Sequence, residues 1–483
     1  MKRIAYLSPV NPAPSGISDY SEELLPYLAQ YADITLYVDN HVRPTNMQVL
    51  RHLTVRPIKR LPRDHRCQPY DGILYHMGNN GPLHSAIWQM LQRLPGIVVM
   101  HEFVLHHFML SYAATVLHDI TQYQTTATTR YGEEGAHIAR LMLHGRFTEA
   151  AFDLPFCEDV LAKAQGVIAH SQHVMERVAA LQPHLPTAHV PMGVPLPTLI
   201  DPNTARTRLG LPLDTPIIAS FGHINPYKRI DSALRAMKTL RETYADIRYI
   251  LVGSISPNYD VQAAIARTGL SDVVTVTGYV DRQDFEDYVA AADICLNLRH
   301  PTAGETSASL LRLLGAGRPT LVTASGSFVE LPADVAAQVD PDVSEGDLII
   351  AYCQLLLDRP DIAAALGTNA RTYVAREHTL EGAALGYMRF LANHYGWGEV
   401  KKQRKAPLWS VAQSIKPSSI QTTQTTSPTP LAQSHPPHPL STATAQALAE
   451  IGTTEDDTDL LRNTAQSIAE LLDPDQPEQK SMK

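Results

Sequence analysis

Residues 217–229 read Ile217-Ile218-Ala219-Ser220-Phe221-Gly222-His223-Ile224-Asn225-Pro226-Tyr227-Lys228-Arg229, and their order decides the fold class. A short apolar run of buried-strand length meets a glycine and a polar loop. A segment then follows in which Ile230, Leu234, Met237 and Leu240 lie near one helical face. A strand that ends in glycine and feeds a helix is half of a βαβ unit. In open sheets built from such units, ligands bind beyond the carboxyl ends of the strands. Gly222 permits close backbone approach there, and the unpaired N–H groups of the next helix suit an anion. Lys228 and Arg229 add mobile positive charge at that point, so both are candidates for phosphate contact. The competing reading is a pair of surface cations at an ordinary helix start.

Working outward, the same alternation recurs. Residues 249–252, 273–277, 294–298 and 320–322 are short apolar runs separated by helical patterns, and 4–7, 34–38, 72–75, 97–100 and 167–169 repeat the theme earlier in the chain. The reading is α/β, with two doubly wound domains. The first spans 1–190, with a helical elaboration over about 111–161 that lacks strand signals. Val190-Pro191-Met192-Gly193-Val194-Pro195 reads as the linker. The second domain spans 191–378, and an amphipathic segment over 379–397 closes the folded part. From 398 to 483 the composition shifts to Ser, Thr, Pro and Gln, which cannot bury enough apolar surface to offset ordering entropy. Residues 398–444 are expected to be disordered and 445–472 to form at most a short helix or two.

The 483 residues are too many for one ordinary core, and 44% hydrophobic against 18% charged residues leaves ample material for two. A net charge of −9 argues against general nucleic-acid binding, which needs a basic surface. It leaves room for a small anionic ligand held by one or two cations. Cys67, Cys157, Cys295 and Cys353 are scattered without a CxxC pair, which points away from zinc and disulfides and toward a reducing cytoplasm. Cys295, inside an apolar run, reads as packing. No stretch approaches a membrane span, so the expectation is a cytoplasmic protein, with room for weak peripheral attachment at the inner membrane face.

A second informative element follows the run at 294–298: Arg299-His300-Pro301-Thr302-Ala303-Gly304-Glu305-Thr306-Ser307-Ala308-Ser309, then a leucine-rich helix that stops at Gly315-Ala316-Gly317-Arg318-Pro319. Thr306 and Ser307 suit an N-cap, their amides at the helix start are candidates to bind the phosphates of a donor, and Glu305 sits at the positive end of the helix dipole. Glu305 is read either as part of a cap or as a ligand-facing carboxylate. The small residues Gly304, Ala308 and Ser309 around it suggest space kept open for a ligand.

These paired βα elements resemble the family-four group of GT-B glycosyltransferases, a likeness most specific over 217–325 and extending over about 1–396. The resemblance implies GT-B architecture, with two Rossmann-like domains facing across a cleft. It also implies a hexosyltransferase-type enzyme with a nucleotide-diphosphate-sugar donor (UDP-, GDP- or ADP-sugar) and a sugar, lipid-linked or other acceptor. Retention at the anomeric carbon and no cofactor or metal are implied too. In that family an Arg just after the strand glycine and a Lys a few residues on hold the diphosphate. Lys228 matches the second, and His223 stands where Arg is usual, which offers one donor instead of a fork. The family's two glutamates, separated by seven residues, align with Gly304 and Arg312, leaving Glu305 displaced by one step. Arg312 is then either a phosphate partner or a residue on the far side of the helix.

In the first domain, Val98-Val99-Met100-His101-Glu102 places a histidine at the carboxyl end of a buried strand. The resemblance implies that His101 approaches the transferred sugar, with orientation and charge stabilisation as its role. The alternative is a histidine that satisfies nearby backbone. His106 and His107 follow, and their spacing from His101 leaves metal binding open on residue type alone. The loop ending at Gly16 resembles the family's glycine-rich first loop, whose amides face the diphosphate or acceptor; a plain turn is the alternative. Gly78-Asn79-Asn80-Gly81, His170 and Ser171 end strands and could border the cleft. Rival activities on the same fold are a sugar phosphorylase, a nucleotide-sugar epimerase, or a catalytically silent nucleotide-sugar-binding scaffold.

Overall fold

A computed structural model describes residues 1–146 and 149–410. Residues 1–123 and 149–410 form one compact unit that carries two parallel sheets. Residues 124–146 belong to a second unit and lie in the helix Ile120–Leu143, which is kinked at Gly132 (φ 66°), and its C-terminal turn.

The first sheet contains β1 (Lys2–Leu7), β2 (Ala32–Val38), β3 (Thr54–Pro57), β4 (Gly72–Met77), β5 (Ile97–Met100), β6 (Gly166–Ala169) and β7 (Thr187–His189), in the order β3-β2-β1-β4-β5-β6-β7. The second contains β8 (Ile217–Phe221), β9 (Arg248–Val252), β10 (Val274–Gly278), β11 (Ile294–Asn297), β12 (Thr320–Thr323) and β13 (Ala337–Val339), in the order β10-β9-β8-β11-β12-β13. Every pairing is parallel, as expected for strands buried on both faces by crossover helices. In each sheet the order reverses at the middle, beside β1 and β4 and beside β8 and β11. Crevices open at such switch points.

The strands expected from apolar runs are all present. β3, β7 and β13 were not expected: they are edge strands, only partly buried, and so carry no continuous apolar signature. Among the described residues of 111–161 the regular elements are helices joined by short turns, with no strand. The helix Leu380–His394 crosses back onto the helix Gly16–Leu28, where the Tyr20 and Tyr387 hydroxyls meet at 3.1 Å.

Residues 398–410 depart from the expected disorder. The amides of Gln403 and Arg404 donate to the Gln30 carbonyl at 2.7 and 3.2 Å, and Leu408 N donates to the Pro26 carbonyl at 3.3 Å. Trp409 is buried and stacks on His52. A polar average over the tail hides these few apolar anchors. The short helix expected within 445–472 lies outside the described residues. Among the described residues no helix is long and apolar enough to cross a membrane.

Candidate active site

β8 and β11 are neighbours, with Ile218 paired to Ile294, so the loops that leave their carboxyl ends meet. His300 N donates to the Tyr227 carbonyl at 2.9 Å and ties the two loops together. Gly222 has φ 95°, and a Cβ there would stand 3.3 Å from Lys228 Nζ, so the glycine leaves room for the lysine to fold back over the strand end. Lys228 is buried, and its Nζ donates to the Phe221 carbonyl at 3.0 Å. Burial and the nearby Arg299 push its pKa well down, while Glu305 partly opposes them. Glu305 is buried as well. Burial alone would raise its pKa, but Arg299 on one carboxylate oxygen and Thr302 Oγ1, at 2.8 Å on the other, hold it below the usual value. Ser307 caps the helix Ala308–Gly315 by accepting from Leu310 N at 3.2 Å, so capping belongs to Ser307 and Glu305 faces Arg299 instead. His223 stays on the loop beside Gly222, with Nδ1 2.9 Å from Ser254 Oγ.

The first domain meets this edge directly. Phe103 N and Val104 N both donate to the Ala303 carbonyl, at 2.7 and 2.9 Å. The segment that carries His101 and Glu102 is therefore fastened to the loop that carries Glu305. Burial and the charge of Glu305 push the Glu102 carboxyl up to about 7, although Asn79 N donates to it. His101 is 5% exposed, and its Nε2 lies 2.9 Å from His76 Nδ1. Gly16 opens the helix Gly16–Leu28 behind the N-cap Ser15, with open space beside it. Lys228, Arg299, Glu305 and the His101–Glu102 segment thus share one locality.

Other candidates lie elsewhere or act differently. Arg229, expected at the donor, has its guanidinium on Glu345 at 2.8 and 2.6 Å, because its left-handed backbone (φ 56°) turns the side chain away from the loop. Arg312, expected either at phosphate or on the far side of the helix, instead takes a partner from the first domain. It forks onto Glu23 of the first domain at 2.7 and 2.9 Å, and Arg282 joins the same carboxylate at 2.9 Å. Gly304 (φ 83°) does not keep space for a ligand: a Cβ would lie 3.0 Å from the Phe103 Cβ, so the first domain occupies that space. His106 donates from Nδ1 to the Ala151 carbonyl at 2.9 Å and accepts from the Tyr123 hydroxyl at 2.6 Å, which engages both ring nitrogens. Among the described residues no group of three or more His, Cys, Asp or Glu could hold a metal ion.

Sequence reasoning quoted Arg299 and Thr302 without giving either a role, and it passed over Glu23. Arg299 had a usable signal, a cation two residues past a strand that precedes a carboxylate. Glu23 had none, since its partners come from the other domain. A cavity of about 190 Å³ flanks Glu305, with His170, Ser171, Thr306, Ser307, Ser327 and Glu330 among its lining residues; Ser327 Oγ donates to the Glu305 carbonyl at 2.6 Å.

Residues 201–373, which span this second sheet, match the family described as Glycosyl transferases group 1. A similar curated protein is the GDP-mannose-dependent monoacylated alpha-(1-6)-phosphatidylinositol monomannoside mannosyltransferase of Corynebacterium glutamicum, 28% identical over 44% of this chain and 58% of its own length. Another is the D-inositol 3-phosphate glycosyltransferase of Xylanimonas cellulosilytica, 31% identical over 28% of this chain and 36% of that protein. The match thus covers about half or less of these relatives. Among solved structures, sucrose-phosphate synthase from Thermosynechococcus elongatus superposes with a TM-score of 0.59 at 19% identity, over 82% of this chain and 100% of that one. Anabaena HepE in complex with UDP and glucose does so with 0.56 at 16%, over 81% and 100%. The two parallel sheets therefore make up a GT-B fold.

Proposed function

We propose that this chain transfers a sugar from a nucleoside-diphosphate donor to an acceptor hydroxyl, with retention at the anomeric carbon, in polysaccharide or glycolipid assembly on the cytoplasmic side of a membrane. The observation that carries this reading is the meeting of Lys228, Arg299 and Glu305 at the β8–β11 switch point, with the His101–Glu102 segment hydrogen-bonded to the same loop. Relatives named for GDP-mannose dependence and folds solved with UDP and glucose support a nucleotide-sugar donor.

In this reading Lys228 and Arg299 take the diphosphate. Burial lowers the pKa of Lys228 and a dianionic ligand raises it again, so the cation is held most strongly as the leaving group gains charge. Glu305, kept anionic by Arg299 and Thr302, faces the anomeric carbon as its bond to the diphosphate breaks and the acceptor oxygen bonds. The acceptor proton leaves with the departing diphosphate oxygen. His101 orients the transferred sugar from the opposite domain, and closure keeps water from the activated carbon.

Thermal-shift titration with UDP-, GDP- and ADP-sugars identifies the nucleotide, because a bound ligand raises the melting temperature by mass action. With that donor, Lys228→Ala is expected to lower turnover by ~10²-fold or more in a folded protein. Full activity of the folded variant removes Lys228 from the site. Tight nucleotide binding without turnover on any acceptor makes the chain a silent binding protein instead.

A further inference from the structure

At the carboxyl edge of the first sheet, three adjacent strands each contribute a histidine. His76 lies within β4, His101 follows β5 and His170 follows β6. All three are buried among Tyr6, Tyr20 and Tyr387, with the His76 ring 4.4 Å from that of Tyr6 and the His101 ring 5.5 Å from that of Tyr20. Burial lowers the pKa of each, and the neighbouring imidazoles lower those of His76 and His101 further, so the layer is neutral. In a neutral imidazole one nitrogen carries hydrogen and the other a bare lone pair, so the contacts fix the tautomers.

His170 is unambiguous. Its Nδ1 lies 2.9 Å from the Val190 carbonyl, which can only accept, so the hydrogen is on Nδ1 and the buried Nε2 is a lone pair without a partner. His76 faces the same choice. Its Nδ1 lies 2.9 Å from His101 Nε2, and its own Nε2 is buried with no partner. A proton on His76 Nε2 would strand a buried N–H, which folded proteins avoid more strictly than a stranded acceptor. The proton is therefore on His76 Nδ1 and is donated to His101 Nε2. His101 must then carry its own hydrogen on Nδ1. Among the described residues nothing takes that nitrogen, and His101 keeps 5% exposure.

We infer that His76 is a positioning residue for sugar transfer: its buried Nδ1–H occupies His101 Nε2 and so presents the His101 Nδ1–H to the ligand. The inference rests on the proposed function for its catalytic consequence, but not for the tautomer itself. It also assigns the chemistry that His101 recognises, a hydroxyl or phosphate oxygen that accepts, not a group that donates.

Two experiments test it. In the intact protein with 15N-labelled histidine, nitrogen NMR of the resting state, with His101→Gln to assign the signals, is expected to show a protonated Nδ1 and a bare Nε2 at His101. A protonated His101 Nε2 overturns the inference whether or not the chain transfers sugar. In the transfer assay, His76→Phe fills the volume without a donor and is expected to cut kcat by ~10-fold or more with donor KM nearly unchanged, since a small misplacement of an orienting group is costly. His76→Asn, whose amide N–H replaces Nδ1–H, is expected to restore most of the loss. Rates for His76→Asn as low as for His76→Phe, with both variants folded, reduce His76 to packing and overturn the positioning role.

Discussion

At the carboxyl edge of the second sheet the polar groups are charged side chains, Arg299 paired with Glu305 and Lys228 buried nearby on the Phe221 carbonyl. At the matching edge of the first sheet they are neutral rings, His76, His101 and His170 packed with Tyr20 and Tyr387. Both edges are the same βα construction, yet they solve desolvation differently. Ions can be buried only when paired, and a pair left one cation in excess attracts an anion. Imidazoles and phenols lose little when dry, provided most of their nitrogens and hydroxyls find partners. The division of labour follows: the second domain handles the charge of a diphosphate, and the first orients hydroxyls against it without adding charge.

The sharpest way to break this contrast is to neutralise the charged edge. Glu305→Gln keeps the hydrogen bond from Thr302 but removes the anion that faces Arg299, and transfer is expected to fall by ~10²-fold with the fold intact. Wild-type rates would leave Glu305 a structural residue. The next test asks whether charge also ties the two domains. Glu23 holds two arginines, so Glu23→Ala leaves Arg282 and Arg312 facing one another and is expected to cost about 2 kcal/mol of stability. Arg312→Ala leaves the Glu23–Arg282 pair and is expected to cost about 1 kcal/mol. Equal melting temperatures for the two variants would deny Glu23 its role as the centre of the group.

The smallest expected effect concerns Glu102, a carboxyl on the otherwise neutral edge. Its folded pKa is raised to about 7. The stability present below the unfolded carboxyl value is thus lost as pH rises through 7. Glu102→Gln removes that loss. The variant is expected to melt on the order of 2 °C above the parent at pH 8 and to match it at pH 4, where both folded and unfolded states hold the proton. A gain that is the same at both pH values would point to packing instead of ionisation.

Much of this was legible in local sequence. The apolar runs announced every strand buried in the middle of a sheet, and Gly222 with Lys228 announced the loop beyond β8, because both signals depend on residues within a few positions of one another. β3, β7 and β13 were not legible, since partial exposure removes the apolar run. The ordered stretch 398–410 was hidden in a polar tail, where a few anchors such as Trp409 decide the outcome and composition does not.

Sequence alone thus determined the alternation of strands and helices, the two-sheet α/β class and the place where a phosphate loop and a carboxylate turn would emerge, because these follow from periodicity and from what a glycine-ended strand permits. Only the tertiary structure decided which charges are partners. Arg229 went to Glu345, Arg312 to Glu23, and Arg299 to Glu305. The physical reason is that an ion pair is chosen by distance after folding, and for Glu23 and Arg312 that distance spans 289 positions of chain.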